Sequence, residues 1–412
     1  MPGGILLLRK LSMSLSSSSS APTSRVSHPE KRLRGAAILA FGVMGFHVGV
    51  YAVQLAPLSR ALHLSPIEIG AAGTVSALVG VIVRALLGRY TDRFGRQVIL
   101  AIGFCGTAIA FAAVAASPSI GVLFAALILY GLCACWMDIG ANTLGSDLEQ
   151  RTGTRAMNGL QAGFSGGACV GALLTALLLT VGVDYRLVYV GAAAVLMLCG
   201  VVLAWTRIPA HQVAAPDEDA AGTRRNSLWH YPVIIFATVV LTATFFGDGA
   251  LESFLSVYLN TTLGATIVLA GLGVAFFHAA SLFGRSIAQA TLHRFGERKV
   301  VFVAGIVASA GVVVAVFSPT PWVAVVGLLL TGFAEAPLVP VALSLAGSAV
   351  PGRTGEAIAL TTTVGFSAFI VSPLIVGGIA QATDLRVGLA LVALTLLVVA
   401  LLGLRWPRHQ LR

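Results

Sequence analysis

Arg84-Ala85-Leu86-Leu87-Gly88-Arg89-Tyr90-Thr91-Asp92-Arg93-Phe94-Gly95-Arg96-Gln97 stands between two long apolar runs. At a step of 201 residues the chain returns to the same landmarks, since Arg84 maps onto Arg285 and Arg93-Phe94-Gly95 onto Arg294-Phe295-Gly296. Three further matches follow in order: Arg151-Thr152-Gly153 with Arg353-Thr354-Gly355, Gly163-Phe164-Ser165 with Gly365-Phe366-Ser367, and Asp184-x-Arg186 with Asp384-x-Arg386. One such match is weak, but four in register with almost no gaps describe an internal duplication.

Working outward from this loop, apolar runs recur between short polar connections. A membrane-crossing helix needs about 20 apolar residues. The runs are read as spans over 36–58, 66–90, 97–116, 120–147, 157–181 and 186–206, then 230–259, 266–290, 299–317, 321–348, 356–381 and 386–404. The expected organisation is a disordered tail over 1–32 with the serine run Ser14 to Ser20, a six-helix bundle over 33–206, a cytoplasmic linker over 207–229, a second bundle over 230–406 and a tail over 407–412. The fold class is therefore all-α membrane protein, with twelve transmembrane helices in two parallel-repeated six-helix bundles. Both halves begin on the same side, one of the known transporter plans.

Composition agrees. Of 412 residues 57% are hydrophobic and 10% charged, with mean hydropathy +0.92. Soluble domains carry about 25% charged residues, so a water-facing shell is missing and lipid is the solvent this balance tolerates. The net charge of +10 does not imply nucleic acid, because the basic residues sit at span ends. With the N-terminus cytoplasmic, 21 of the 26 Lys and Arg fall on the cytoplasmic side. Only Arg60, Arg186 and Arg386 fall outside, and Arg84 and Arg285 lie within helices. That asymmetry predicts a multi-pass protein of the cytoplasmic (inner) membrane with both termini cytoplasmic. Cys105, Cys133, Cys135, Cys169 and Cys199 all lie in apolar segments and read as packing residues, with no ligand spacing for a metal.

The loop from Gly88 to Arg96 resembles the G-x-x-x-D-R-x-G-R-R loop of the major facilitator superfamily, with Gln97 in place of the final basic residue. In the second copy Gln289 and His293 replace the Gly and Asp. Asp138-x-x-x-Asn142, Met157-Asn158 and Gly247-Asp248-Gly249-Ala250-x-Glu252 are similar to the fucose-permease-like branch. The resemblance covers residues 33–406 and implies a secondary transporter working by alternating access. It also implies a cytoplasmic gate at Arg84, Gly88, Asp92, Arg93, Gly95, Arg96, Arg285, Arg294 and Gly296. Asp92 can pair with Arg93, Arg96 or another basic neighbour, and can cap a helix start. The static alternative is an exposed ion pair worth under about 1 kcal/mol. Arg84 and Arg285 sit about two turns inside the membrane and serve either this gate or snorkelling to the interface.

An ionisable side chain deep in a bilayer costs about 2.5 kcal/mol or more, so each one calls for a reason. Asp138, Asp248, Glu252 and Glu335 lie well inside spans 4, 7 and 10. The resemblance assigns spans 1, 4, 7 and 10 to the central cavity and spans 3, 6, 9 and 12 to lipid. Span 1 offers His47 and Tyr51, which the repeat aligns with Asp248 and Glu252. Asp248 and Glu252 share a helix face, and two carboxylates in a poorly hydrated site cannot both ionise cheaply. One should hold a proton, as a proton-coupled carrier requires. His47 is a second candidate, since an imidazole changes charge near neutrality. The expected substrate and proton site is His47, Tyr51, Trp136, Asp138, Asn142, Asp248, Glu252 and Glu335. Internal pairing that only fixes helix packing is the plainer alternative, and Trp136 is equally a packing residue. Gln161, Phe246 and Thr361 to Thr363 are weaker candidates.

Gly163 to Gly171 on span 5 carries small residues at close-packing spacing and is expected to form the rocking interface with span 8. No strand precedes it, so it is not a phosphate loop; no cofactor is implied, and transport must draw on a gradient. No HxxxH or HxxE pattern occurs among the eight His, which argues against an enzyme. The expected activity is proton-coupled uptake of a small sugar-like or other polar solute by a monomer in the lipid bilayer. Proton-antiport efflux of drugs or natural products is the alternative within the class. A non-transporting membrane sensor is the alternative outside it.

Overall fold

The computed structural model describes residues 28–87, 95–152, 156–206, 227–350 and 353–405. Its helices are α1 (His28–Ala61), α2 (Pro66–Leu87), α3 (Arg96–Ala115), α4 (Ile120–Thr152), α5 (Met157–Thr180) and α6 (Tyr185–Trp205). After the linker come α7 (Pro232–Val257), α8 (Ile267–Phe295), α9 (Glu297–Val316), α10 (Pro321–Glu335), α11 (Leu338–Ala349), α12 (Thr354–Ala382) and α13 (Leu385–Leu404). Among the described residues twelve spans are long and apolar enough to cross a membrane, α10 and α11 together making the tenth. Helices close every backbone hydrogen bond internally, which hydrocarbon demands.

The duplication is legible in the caps. Gly95 starts α3 with φ 75° and ψ 147°, and Gly296 starts α9 with φ 79° and ψ 152°. Only glycine takes such a conformation without strain, which explains why both copies of the loop keep it. Likewise Asp184 accepts a hydrogen bond from the Arg186 amide at the start of α6, and Asp384 from the Val387 amide at the start of α13. The two halves thus repeat in turn chemistry as well as in order.

Several boundaries differ from the sequence reading, α4 and α8 each running five residues past the expected end. Helix α1 begins at His28, so its first turns carry the basic residues Lys31, Arg32 and Arg34 outside the apolar run. The seventh span ends in a wide π-helical turn at Tyr258–Thr262. The tenth span breaks between Glu335 and Leu338, because Pro337 has no amide hydrogen to continue the ladder.

Between the halves, contacts concentrate at the end remote from the chain termini, called here the far end. Thr74 Oγ1 donates to the Ile370 carbonyl at 2.7 Å, joining α2 to α12. Ser256 donates to the Ala52 carbonyl, joining α7 to α1. A Cβ on Gly70 would lie 2.2 Å from the Pro373 carbonyl oxygen, and one on Gly377 would lie 2.5 Å from that of Pro66. The seal is therefore backbone against backbone. Gly70→Ala is expected to hold it open. Spin labels at Ile67→Cys and Gln381→Cys, both exposed, should report a longer far-end distance than without the alanine, and an unchanged distance would refute the seal.

Candidate functional site

Beneath the far-end seal lies a cavity of about 380 Å³, large enough for a drug-sized molecule. Helices α1, α2, α4 and α5 line it on one side and α7, α8 and α12 on the other. Among the described residues α3, α6, α9 and α13 contribute nothing to its wall, and neither do α10 and α11, so the tenth span departs from the cavity position that the resemblance implies.

On the first side, His47 and Tyr51 project from one face of α1, four residues apart. His47 is 2% exposed, and its Nε2 lies 3.1 Å from the Tyr130 hydroxyl on α4. The Tyr51 and Tyr130 rings stack with centroids 5.8 Å apart and planes 9° from parallel. Two turns further along α4, Asp138 also faces the cavity. Its Oδ1 accepts from Asn142 Nδ2 at 2.8 Å, so Asn142 orients the carboxylate without itself lining the wall. Trp136 does not line the wall either. It is buried with Val83, Ile99 and Cys135 and packs α4 against α2 and α3.

On the second side, Asp248 and Glu252 face the cavity one turn apart on α7. Glu335 is 4% exposed at the last residue of α10, beside the Pro337 break, and lies within hydrogen-bonding reach of Asp248. Two carboxyl groups bond each other only when one carries a proton. Glu335 Oε2 has no donor among the described residues. Arg285 on α8 also faces the cavity, close enough to attract Asp248, Glu252 and Glu335. Its Nη1 lies 3.5 Å from the Gln161 carbonyl on α5, so it also bridges the halves. Phe366 and Phe369 stack at 5.3 Å, with Phe245 edge-on to Phe366 at 5.8 Å.

The structure therefore brings together His47, Tyr51, Asp138, Asp248 and Glu252, with Glu335 and Asn142 directly behind. It adds Tyr130, Phe245, Phe366 and Phe369, and it turns Arg285 toward the acids. The spacing Tyr130-Ala134-Asp138-Asn142 is a sequence signal that would have marked Tyr130, since these residues repeat every helical turn. Gln161 lines the wall, Phe246 does not, and Thr361 is buried against Thr238.

Among the gate residues, Gly88, Asp92 and Arg93 lie outside the described residues, as do the side chains of Arg84 and Arg96. Gly95 and Gly296 are the two caps given above. Arg294 lies over the Phe295 ring at 5.4 Å. The glycine stretch on α5 needs correction. Gly167 and Gly171 face α1, where an added Cβ would come 2.0 Å from the Gly42 carbonyl oxygen and 2.1 Å from that of Phe46. Of its glycines, Gly166 is the one whose added Cβ would meet α8, at Leu282. The stretch thus seats α5 against α1 as well as against α8, whose close approach continues to Ala176, opposite Gly271.

Comparison with known proteins agrees with this architecture. The family model described as Major Facilitator Superfamily matches residues 37–292 and, overlapping, 239–411. The chain is 25% identical over 365 residues to an uncharacterized MFS-type transporter of Yersinia pestis, covering 88% of this chain and 92% of the relative. Among solved structures it resembles a point mutant of the nucleoside transporter NupG, with TM-score 0.73 and 15% identity over 92% of this chain and 99% of the other. It resembles equally a bacterial homologue of the human lysosomal transporter Spinster, inward-facing and unoccupied, with TM-score 0.73 and 14% identity over 92% and 96%. At these identities the two structures speak for the fold alone.

Proposed function

We propose, from the premise that this chain belongs to the Major Facilitator Superfamily and is a membrane transporter, that it is a proton-coupled secondary carrier taking up a small polar solute. The observation that carries this reading is the group Asp248, Glu252 and Glu335 in and behind a cavity between the halves. A shared proton in that group can be taken from one side and released to the other as the halves rock. The Tyr51–Tyr130 stack and the likeness to the fucose-permease-like branch support a sugar-like body, since flat rings pack against pyranose faces. The same aromatic walls favour one second reading, proton-antiport efflux of apolar drugs or natural products.

In this reading the far end is extracellular and both termini are cytoplasmic, which the distribution of basic residues supports. The far-end seal then belongs to an inward-facing state, and the protein acts as a monomer in the inner membrane. Proteoliposomes with an imposed pH gradient test the proposal. Gradient-driven accumulation of a solute is expected, collapsing when a protonophore is added. Flux indifferent to the pH gradient would refute proton coupling, and inward gradients driving only export would favour the second reading.

A further inference from the structure

We propose that a slot between α8, α9 and α10 binds one anionic phospholipid, with an acyl chain in the slot and its phosphate on Lys299. The slot lies at the end that holds the chain termini, apart from the central cavity. Its volume is about 340 Å³, within the range of ligand sites. It arises because α8 and α9 each pack on α10 but scarcely on each other. Gly284, Ala288 and Ala304 form a buried floor, and Phe295 and Val303 stand exposed at the rim.

The first half of the duplication closes the equivalent space. At the step of 201 residues Gly284, Val300 and Pro337 correspond to Val83, Ile99 and Trp136, which pack together in one buried cluster. There an indole fills the junction of the three helices. In the second half glycine and proline replace valine and tryptophan, and the junction is a slot. Lys299 lines it where the first half carries Val98. The slot and its cation are therefore features of this half, not consequences of the shared fold.

Polarity is ordered along the slot. Lys299 stands in the first turn of α9, at the level where a span meets the headgroups. From there to Val307 the slot runs about 12 Å toward the bilayer centre, at 1.5 Å per residue. Along that depth the Thr291 hydroxyl is spent on the Ile287 carbonyl, and Pro337 has no amide hydrogen. Polar atoms of an occupant would find no partner there, so its buried part must be hydrocarbon. At the mouth Lys299 is the one charged lining residue among those described. It makes no hydrogen bond or ion pair among them. Arg294 adds a second cation, lying over the ring of Phe295, which itself lines the slot. Arg298 is taken by the Gly403 and Leu404 carbonyls, and Glu297, two residues before Lys299, lies on another face of α9. An acyl chain under a net-negative headgroup matches this order. A zwitterionic head brings its own cation to compete with Lys299.

The purified full-length protein is titrated with phosphatidylglycerol and with phosphatidylcholine of the same chains. Binding is read as the concentration at half-maximal thermal stabilisation. Phosphatidylglycerol should bind at least about fivefold more tightly. Lys299→Gln should bring that ratio below about twofold, whereas Arg32→Gln, exposed at the same end, should leave it unchanged. Val303→Trp, at an exposed position that tolerates a larger side chain, should weaken both lipids at least about threefold by filling the slot. Glycerol phosphate, the anion without the chains, should not compete at about tenfold excess. Equal binding of the two lipids overturns the proposal. Equal losses in Lys299→Gln and Arg32→Gln also overturn it, in favour of diffuse attraction to a basic surface. Competition by glycerol phosphate would make this a free-phosphate site, and unaltered binding by Val303→Trp would place the lipid elsewhere. If one variant does not fold, the other decides together with the parent's ratio.

Discussion

Asp248→Asn is expected to leave solute exchange across the membrane running and to abolish accumulation driven by a pH gradient. The carboxyl of Asp248 meets that of Glu335 behind it and faces the cavity with Glu252. Asparagine keeps the size and can still donate to Glu335, but it has no proton to release. The helix contact therefore survives while the coupling does not. A carrier whose site no longer titrates still equilibrates its solute, so internal and external concentrations should converge to a ratio of about 1. Glu252→Gln should behave in the same way, since it removes the neighbouring negative charge that favours a proton on the Asp248–Glu335 pair. Counterflow and accumulation measured on the same vesicles separate the two processes. Normal pH-driven accumulation in both variants would remove these residues from coupling.

Gly49→Val should have the largest effect on stability. A Cβ at Gly49 would sit 2.0 Å from the Ala168 carbonyl oxygen, and at neighbouring Gly45 1.8 Å from that of Phe164. Gly167 and Gly171 return the contact from α5, so the two helices touch along their backbones over two turns. No flexible side chain is available to yield, and α1 must move off α5. Overpacking costs about 1–3 kcal/mol and sometimes more. In lipid, where helix association depends on close packing rather than on exclusion of water, the upper end applies. A fall in Tm of roughly 5–10 °C, with loss of a monodisperse species in detergent, is expected. Gly163→Ala, where nothing stands within 4 Å, is the control. If Gly49→Val melts like the parent, the α1–α5 contact is looser than described.

Much of this arrangement is legible in the sequence, for reasons that differ by residue. Spans are legible because hydrocarbon imposes a length and forbids charge, and the duplication multiplies weak landmarks into a register. The acids on α4, α7 and α10 stand out because charge at that depth is rare. Arg285 is harder: its position two turns inside the membrane fits snorkelling outward as well as facing inward, and only the packing of α5 against α8 decides. Phe366 and Phe369 are invisible in an apolar helix, where another ring carries no contrast. The break in the tenth span has a plain signal in Pro337, which hydropathy averages away. Small-residue spacing on α5 marks a face that admits close approach, but not which helix arrives there.

The far-end seal consists of carbonyls, glycines and two hydroxyl donors from Thr74 and Ser256. Mobile counterions act on charged partners, and these have none. Ionic strength therefore has no purchase on the closure of that end. The opposite end, where Lys31, Arg32, Arg34, Arg298 and Lys299 stand at the starts of α1 and α9, lies within reach of salt and of anionic headgroups. The two ends of the protein thus answer to different properties of the surroundings, one to how tightly lipid lets helices pack and the other to the electrolyte.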